Sequence, residues 1–292
     1  MALTFTQDFI HAIERLRLLA RQVPAGGRHA EHRSRAFGSG MEFRDFRSYA
    51  PGDDVRRVDW NLYRRSGRLF LRLFEEPEDL AVYCLLDMSD SMFFEDPPRA
   101  DAARQMAAVL CGVALNQLDR AGVYPFGADL GRPLGPTSGR QSLTRVLRYL
   151  EGLQPAGPTD LARSLHRFGT LRLRNGLAVV ISDFFDPRGI EAVIDALRGV
   201  RHKLLLVQVV RGSDAAPAVS GELRVVDCES GAAVDVTVTA RGLEDYRRAY
   251  RAFNDRLMDF VARRRAAYLK LDADRPVLEQ VRHLFVDGVL MT

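Results

Sequence analysis

The stretch LAVYCLLDMSDSM, residues 80–92, decides the fold of this chain. Its first seven residues are all hydrophobic, and a short run of this kind is typical of a parallel strand that is buried on both faces. The run ends in Asp87, and two serines, Ser89 and Ser91, follow closely. In open parallel sheets, ligands bind at the carboxyl ends of the strands. The segment therefore predicts a central strand and a candidate site directly after it.

Two more buried strands are predicted along the chain, at 177–181 (LAVVI) and 203–210 (KLLLVQVV). Segments with helical spacing of apolar residues alternate with the strands, and they cover 98–119, 141–150, 160–171, 189–200 and 241–265. This alternation predicts parallel strands joined by right-handed helical crossovers. We therefore expect the α/β class: a three-layer, doubly wound, mostly parallel sheet with one short antiparallel edge strand.

The chain is expected to divide near residue 75. Residues 1–75 predict a basic helix followed by a small β-rich extension, because alternating runs flank the turn at Ala50-Pro51-Gly52-Asp53. Residues 76–292 predict the α/β domain. Within it, 222–238 reads as two alternating runs around a Ser-Gly turn, which predicts an inserted β-hairpin. This hairpin is a candidate to share a sheet with the extension.

Composition places the chain among ordinary globular proteins. Of its 292 residues, 47% are hydrophobic and 27% are charged, which excludes disorder and coiled coil as the main architecture. No apolar run approaches the roughly 20 residues that a transmembrane helix needs, so no membrane span is expected. Three widely spaced cysteines indicate neither a disulfide framework nor a zinc site. We predict a cytoplasmic location.

Oxygen-bearing side chains stand at three expected strand and helix ends of the main domain. They are Asp87, Ser89, Ser91, Thr159 and Asp183. Thr159 is also the expected N-cap of the helix that follows it. Two carboxylates and three hydroxyls, without His or Cys, suit Mg²⁺ or Mn²⁺ better than zinc. Such residues are common at strand ends, but their occurrence at three expected ends together favours a metal site.

Longer segments of the sequence resemble a known family. FRSYAPGDDVRRVDW (46–60), RSGRLFLRLFEE (65–76) and LLDMSDSM (85–92) resemble the bacterial "domain of unknown function fifty-eight" family. VDCESG (226–231) and AYLKLDADRP (267–276) are similar to later parts of the same family. The order DxSxS, Thr and Asp also looks like the metal-ion-dependent adhesion site of von Willebrand factor A (vWA) domains.

The resemblance implies a vWA-like fold. We expect a non-catalytic role, because no set of base, nucleophile and acid is assembled. Ser89, Ser91 and Thr159 would bind the metal directly, and Asp87 and Asp183 would bind it directly or through water. A carboxylate from a protein partner would complete the coordination shell. The partner implied is a MoxR-type AAA+ ATPase or its client, and no small-molecule substrate is predicted.

An enzyme of the haloacid-dehalogenase-like phosphatase class is the first alternative. Asp87 would be the nucleophile, Thr159 would bind phosphate, and Asp183 with Asp186 would hold magnesium. That chemistry needs a general acid two residues after the nucleophile, where this chain has Ser89. The lysine it also needs is absent from the expected edge, because Lys203 begins a strand.

Nucleic-acid binding by the basic N-terminal region is the second alternative. Residues 1–74 contain 14 Arg against 8 acidic residues. Arginines there could neutralise phosphates, and the candidates are Arg28, Arg33, Arg35, Arg56 and Arg57. Asp53, Asp54 and Asp59 alternate with arginines, which favours ion pairs or a solvated face. Docking of an acidic protein partner on this basic surface is therefore the preferred interpretation.

Overall fold

The computed structural model describes residues 5–13, 42–75, 81–116, 119–139 and 141–286. The chain forms two compact units, of which the smaller is Gly27–Asp79 and the larger combines Met1–Gly26 with Leu80–Thr292. The strands are β1 (Glu42–Ser48), β2 (Phe70–Glu75), β3 (Ala81–Asp87), β4 (Arg120–Phe126), β5 (Leu134–Ser138), β6 (Gly176–Ser182), β7 (Lys203–Val210), β8 (Gly221–Val226), β9 (Ala233–Val238) and β10 (Ala267–Asp272).

Helices separate most of the strands along the chain. They are α1 (7–13), α2 (Trp60–Ser66), α3 (Arg99–Asn116), α4 (Ser142–Glu151), α5 (Leu161–Thr170), α6 (Ile190–Arg198), α7 (Gly212–Ala215), α8 (Ala240–Arg264) and α9 (Val277–Val286), with 3-10 turns at Val55–Arg57 and Asp90–Phe93. No helix within the described ranges combines the length and the apolar character needed to cross a bilayer.

The larger unit is built on a six-stranded sheet with the order β10-β7-β6-β3-β4-β5. All neighbouring strands are parallel except β5, which pairs antiparallel with β4. The predicted α/β fold with a mostly parallel sheet is confirmed. The identity of the edge strand β5 was not predicted, because its sequence LGPTS contains the strand-breaking residues Gly and Pro.

Both faces of the sheet are covered, as the continuous hydrophobic run of β3 predicts. Successive side chains of a strand point to opposite faces. Val82, Cys84 and Leu86 belong to a core that also holds buried residues of α3 and α4. Tyr83 and Leu85 belong to a second core, with residues of α5, α6 and α8. Helix layers on the two faces of one sheet produce the three-layer architecture.

Helix α1 belongs to the larger unit, which differs from the predicted boundary at residue 75. Phe5, Phe9 and Ile13 are buried, and all three join the core that contains α3. Their spacing of four residues puts them on one helical face. A Cβ added at Gly112 of α3 would lie 2.6 Å from Ile13 Cγ2, so a glycine permits this close approach. The prediction grouped α1 with the basic segment that follows it, although its apolar face packs elsewhere.

The smaller unit contains the antiparallel pair β1–β2 and the short helix α2. Asp59 caps α2 by accepting hydrogen bonds from the backbone N–H groups of Asn61 and Leu62. The pair β8–β9 forms the predicted hairpin, but it is a separate two-stranded sheet. The suggestion that the hairpin shares a sheet with the extension is therefore wrong.

Candidate metal centre

The carboxylate of Asp87 is buried and fixed at the end of β3. Asp87 is 1% exposed, and its Oδ1 accepts hydrogen bonds from the backbone N–H of Ser89 (3.0 Å) and from the Ser89 hydroxyl (2.7 Å). Its Oδ2 accepts one from the Ser182 hydroxyl at 2.5 Å. The Oγ atoms of Ser89 and Ser91 are 3.0 Å apart. A hydroxyl that donates its hydrogen retains lone pairs, so the two serines keep oxygen available to a cation.

Backbone hydrogen bonds hold the loop that carries Thr159 against the Asp87 loop. The N–H of Ala156 donates to Met88 O at 2.7 Å, and the N–H of Asp90 donates to Gly157 O at 2.9 Å. The N–H of Gly157 donates in turn to Asp90 Oδ1 at 3.2 Å. Residues far apart in the chain are thus joined by a rigid backbone contact.

Thr159 does not cap helix α5, contrary to the prediction. The N-cap is Asp160, whose Oδ1 accepts from the backbone N–H of Arg163 at 2.8 Å. Thr159 is 8% exposed, and its hydroxyl has no hydrogen-bond partner. A buried hydroxyl without a partner is costly, since it has lost its bonds to water. The Thr159 hydroxyl is therefore a buried oxygen that the protein itself leaves unused.

Asp183 follows β6 at the same edge of the sheet. It is 7% exposed, and its Oδ1 accepts from the backbone N–H of Phe185 at 3.0 Å. Phe184 between them adopts a positive φ of 66°, which is uncommon for a bulky residue. The N–H of Phe184 donates to the Ser182 hydroxyl at 2.9 Å. Ser182 thereby connects this turn to the Asp87 carboxylate, a role that the sequence analysis did not assign.

The two buried carboxylates repel each other. Burial and, as the second cause, the negative charge of Asp87 together raise the pKa of Asp183 to about 7. Burial also raises the pKa of Asp87, against hydrogen bonds from Ser182 and Ser89 that lower it. The guanidinium of Arg99 favours the charged form of Asp183 but is a smaller effect. A cation between the carboxylates would relieve this repulsion.

A third carboxylate approaches from the hairpin tip. The backbone N–H of Thr159 donates to Glu229 Oε2 at 3.0 Å, and Glu229 Oε1 is buried without a hydrogen-bond partner. The negative charge of Glu229 contributes to the raised pKa of Asp87. The sequence analysis missed Glu229, because it lies 70 residues from Thr159 and no local pattern links the two.

A family model described as "Protein of unknown function DUF58" matches residues 45–256. The chain belongs to the DUF58 family. "Uncharacterized protein Rv1480" of Mycobacterium tuberculosis is 28% identical over 278 residues, which cover 92% of this DUF58 chain and 86% of the relative. "Uncharacterized protein Mb1516" of Mycobacterium bovis is similar to the same extent.

The solved structures that are similar to this DUF58 protein have lower sequence identity. The hypothetical protein BatB from Bacteroides thetaiotaomicron is 14% identical, with a TM-score of 0.43, over 73% of this chain and 100% of its own. An "aerotolerance-related membrane protein" from Bacteroides fragilis is also 14% identical, with a TM-score of 0.41, over 71% and 99% of the two chains.

The candidate ligands at this edge of the DUF58 sheet include hydroxyl oxygens. Within the described ranges, no group of three or more His, Cys, Asp and Glu side chains is arranged to hold a metal ion. The predicted set instead combines two carboxylates with hydroxyls, and the structure brings together the loops that carry all five residues: Asp87, Ser89, Ser91, Thr159 and Asp183.

The remaining phosphatase residues have other contacts. Asp186 Oδ2 accepts from the backbone N–H of Ala162 at 3.2 Å, and its Oδ1 accepts from the N–H of Arg188 at 2.9 Å. Asp186 therefore supports the first turn of α5. Lys203 is exposed at the first position of β7, at the amino end of that strand. The phosphatase alternative stays a prediction.

The arginines predicted to bind a partner fall into two groups. Arg28, Arg33 and Arg35 lie outside the described residues. Arg56 and Arg57 form part of the 3-10 turn Val55–Arg57, and Arg56 is exposed. An ion pair of this unit joins Arg47 to Asp53 at 2.7 Å. The partner-binding role of Arg56 and Arg57 stays a prediction.

Proposed function

We propose that this DUF58 protein is a non-catalytic, Mg²⁺-dependent protein–protein interaction module, with Mn²⁺ as a possible substitute ion. The ligands proposed are Asp87, Ser89, Ser91, Thr159 and Asp183. The observation that carries the proposal is the Thr159 hydroxyl, which is buried without a hydrogen-bond partner beside the Asp87 loop. A bound ion would give this oxygen the partner that the protein lacks.

The donor set suits a hard divalent ion. Mg²⁺ prefers six oxygen ligands, and Asp87 and Asp183 supply two negative charges that balance its own. The hydroxyls of Ser89 and Thr159 would be neutral ligands, one from each of the two loops that the backbone hydrogen bonds join. When bound, Mg²⁺ supplies a Lewis acid that attracts a carboxylate from outside the site. The partner would therefore present an Asp or Glu side chain.

A non-catalytic role agrees with the way Asp87 is held. Both of its oxygens accept hydrogen bonds from hydroxyls, those of Ser89 and Ser182. A phosphatase would need an acid at position 89, and Ser cannot serve as one at neutral pH. The hydroxyl there instead fixes the carboxylate in place, as a positioning group does.

We further propose that the partner is a MoxR-type AAA+ ATPase or its client, in the cytoplasm. The support is the resemblance of 46–60 and 85–92 to the DUF58 family, together with membership of that family. The experiment is binding of the purified ATPase in Mg²⁺ and in EDTA. Binding that EDTA leaves unchanged would contradict a metal-bridged contact.

Calorimetric titration of Mg²⁺ into EDTA-treated protein tests the metal site. We expect one ion per chain, and the Asp183→Asn variant should bind it about 10- to 100-fold more weakly, the loss typical of an altered metal-site residue. Asp195→Asn is the matched control, because Asp195 is an exposed carboxylate that pairs with Arg198 on α6. Equal affinities of the wild type and Asp183→Asn would reject the site.

A further inference from the structure

The tip of the β8–β9 hairpin places a carboxylate at the candidate metal centre. Glu229 Oε2 accepts the N–H of Thr159, and Glu229 Oε1 is buried without a hydrogen-bond partner. The Thr159 hydroxyl is likewise buried and unpartnered. Two unused oxygens, one from a loop of the sheet and one from the hairpin, are therefore held on residues that contact each other.

The hairpin tip is built to present Glu229. Asp227 Oδ1 accepts the N–H of Glu229 at 3.0 Å, and its Oδ2 accepts the hydroxyl of Ser230. The N–H of Gly231 donates to Asp227 O at 2.9 Å, and Gly231 has a φ of 70°, which glycine adopts without strain. These bonds fix the backbone of the turn, and the hydrogen bond from the Thr159 N–H holds the Glu229 side chain.

The rest of the hairpin is weakly attached. Strands β8 and β9 pair with each other, and among the described strands they pair with no other. Most of their residues are exposed, including Val225, Val226 and Val234, each more than 50% exposed. An isolated two-stranded hairpin is marginally stable. The tip can therefore leave the site without disturbing the central sheet.

We propose that Glu229 blocks the candidate metal centre, because its carboxylate, held on the N–H of Thr159, lies where a partner carboxylate would approach. This inference rests on the proposed function of the site and adds its regulation. A partner must displace the hairpin tip, so binding requires a partner whose acidic residue competes with Glu229. Competition with Glu229 therefore lowers the apparent affinity of the site for acidic peptides.

Removal of the Glu229 charge should therefore strengthen the binding of an external acid. The probe is a capped, fluorescein-labelled pentapeptide with one central glutamate among glycines, followed by anisotropy at saturating Mg²⁺. If the tip is closed about nine-tenths of the time, Glu229→Gln tightens binding about tenfold, because apparent affinity scales with the competent fraction. Gln has nearly the size of Glu and lacks only the negative charge, so the variant tests the carboxylate rather than the volume of the side chain.

Two controls separate the role of Glu229 from general charge effects. Glu222→Gln removes an exposed carboxylate from β8 of the same hairpin and should leave peptide affinity at the wild-type value. A peptide with glutamine in place of glutamate should bind no variant. An equal gain for Glu222→Gln would show a general charge effect and would overturn the proposal.

The outcomes distinguish this inference from the proposed function. Normal Mg²⁺ binding by the wild type, with the same peptide affinity in Glu229→Gln, would overturn the role of Glu229 alone. An absence of Mg²⁺ binding in the wild type would overturn the metal site itself. Tighter peptide binding that disappears in EDTA would support both.

Cys228 offers a direct report of tip displacement. It is exposed, whereas Cys84 and Cys111 are buried, so a nitroxide reagent labels position 228 selectively. In the Mg²⁺-loaded wild type we expect the label to become more mobile when the glutamate peptide is added. In Glu229→Gln the label should be mobile before the addition. A label whose mobility is the same in all of these states would contradict displacement.

Discussion

Replacement of Thr159 by valine should reverse the order of stability between EDTA and Mg²⁺. Valine matches the shape of threonine and lacks the hydroxyl. In this structure that hydroxyl is buried and makes no hydrogen bond, so its removal breaks none. Because burial of an unpaired polar group costs about 1–3 kcal/mol, Thr159→Val should raise the free energy of unfolding in EDTA by about 1 kcal/mol.

Magnesium should favour the wild type over Thr159→Val in the free energy of unfolding. At a Mg²⁺ concentration of 100 times the wild-type Kd, bound ion stabilises the wild type by about 2.7 kcal/mol. A tenfold loss of affinity in Thr159→Val reduces that gain to about 1.4 kcal/mol, and a hundredfold loss reduces it to about 0.4 kcal/mol. The advantage of the variant in EDTA is then cancelled or reversed.

Urea unfolding at both conditions measures the effect, and Ser164→Ala is the matched control. Ser164 lies in α5, is fully buried, and its hydroxyl also has no hydrogen-bond partner. Its replacement should stabilise the protein in EDTA and leave the Mg²⁺ gain at the wild-type value. A Thr159→Val protein that is less stable than the wild type in EDTA, or that gains as much from Mg²⁺, would refute the reasoning.

Two more predictions concern packing and pH. A Cβ at Gly127 would lie 2.4 Å from Ala156 O. Gly127→Ala should therefore push away the loop that carries Thr159 and weaken Mg²⁺ binding, as measured by calorimetry. Gly135→Ala is the control, because a Cβ there has nothing within 4 Å, and it should leave Mg²⁺ affinity unchanged. Burial lowers the pKa of His202, whose ring packs 5.0 Å from that of Tyr83. Below the ordinary His pKa of about 6.5, the unfolded chain therefore binds the proton more readily than the folded protein does. The free energy of unfolding should decrease as the pH is lowered through this range. Urea unfolding at pH 7.5 and 5.5 should show a smaller fall for His202→Phe, and an equal fall would contradict this assignment.

The sheet could be predicted because its strands have a strong local signal. Buried parallel strands are continuous hydrophobic runs, and β3, β6 and β7 each begin and end within one or two residues of the predicted bounds. The edge strand β5 has no such run, since it is mostly exposed and contains Gly and Pro. The short helix α2 was missed for a similar reason: seven residues are too few for a clear helical period.

The candidate site could be predicted only where strand order determines position. Asp87 and Asp183 follow β3 and β6, which are neighbours in the sheet, so topology alone brings them to one edge. The assignment of Thr159 as an N-cap was wrong because the next residue, Asp160, can also cap, and the sequence does not decide between them. Glu229 was missed because the position of a hairpin that pairs with itself is set by tertiary contacts.

The independence of the β8–β9 hairpin has a practical consequence. Since its strands bond to each other and, within the described chain, to no other strand, residues 221–238 can be exchanged without altering the sheet ladder. The hairpin is thus a segment that protein engineering can replace as a unit. A photocaged glutamate at position 229 would place the access of a partner to the candidate metal centre under the control of light. A library of hairpin tips would yield variants that differ in their affinity for the partner and share one unchanged sheet.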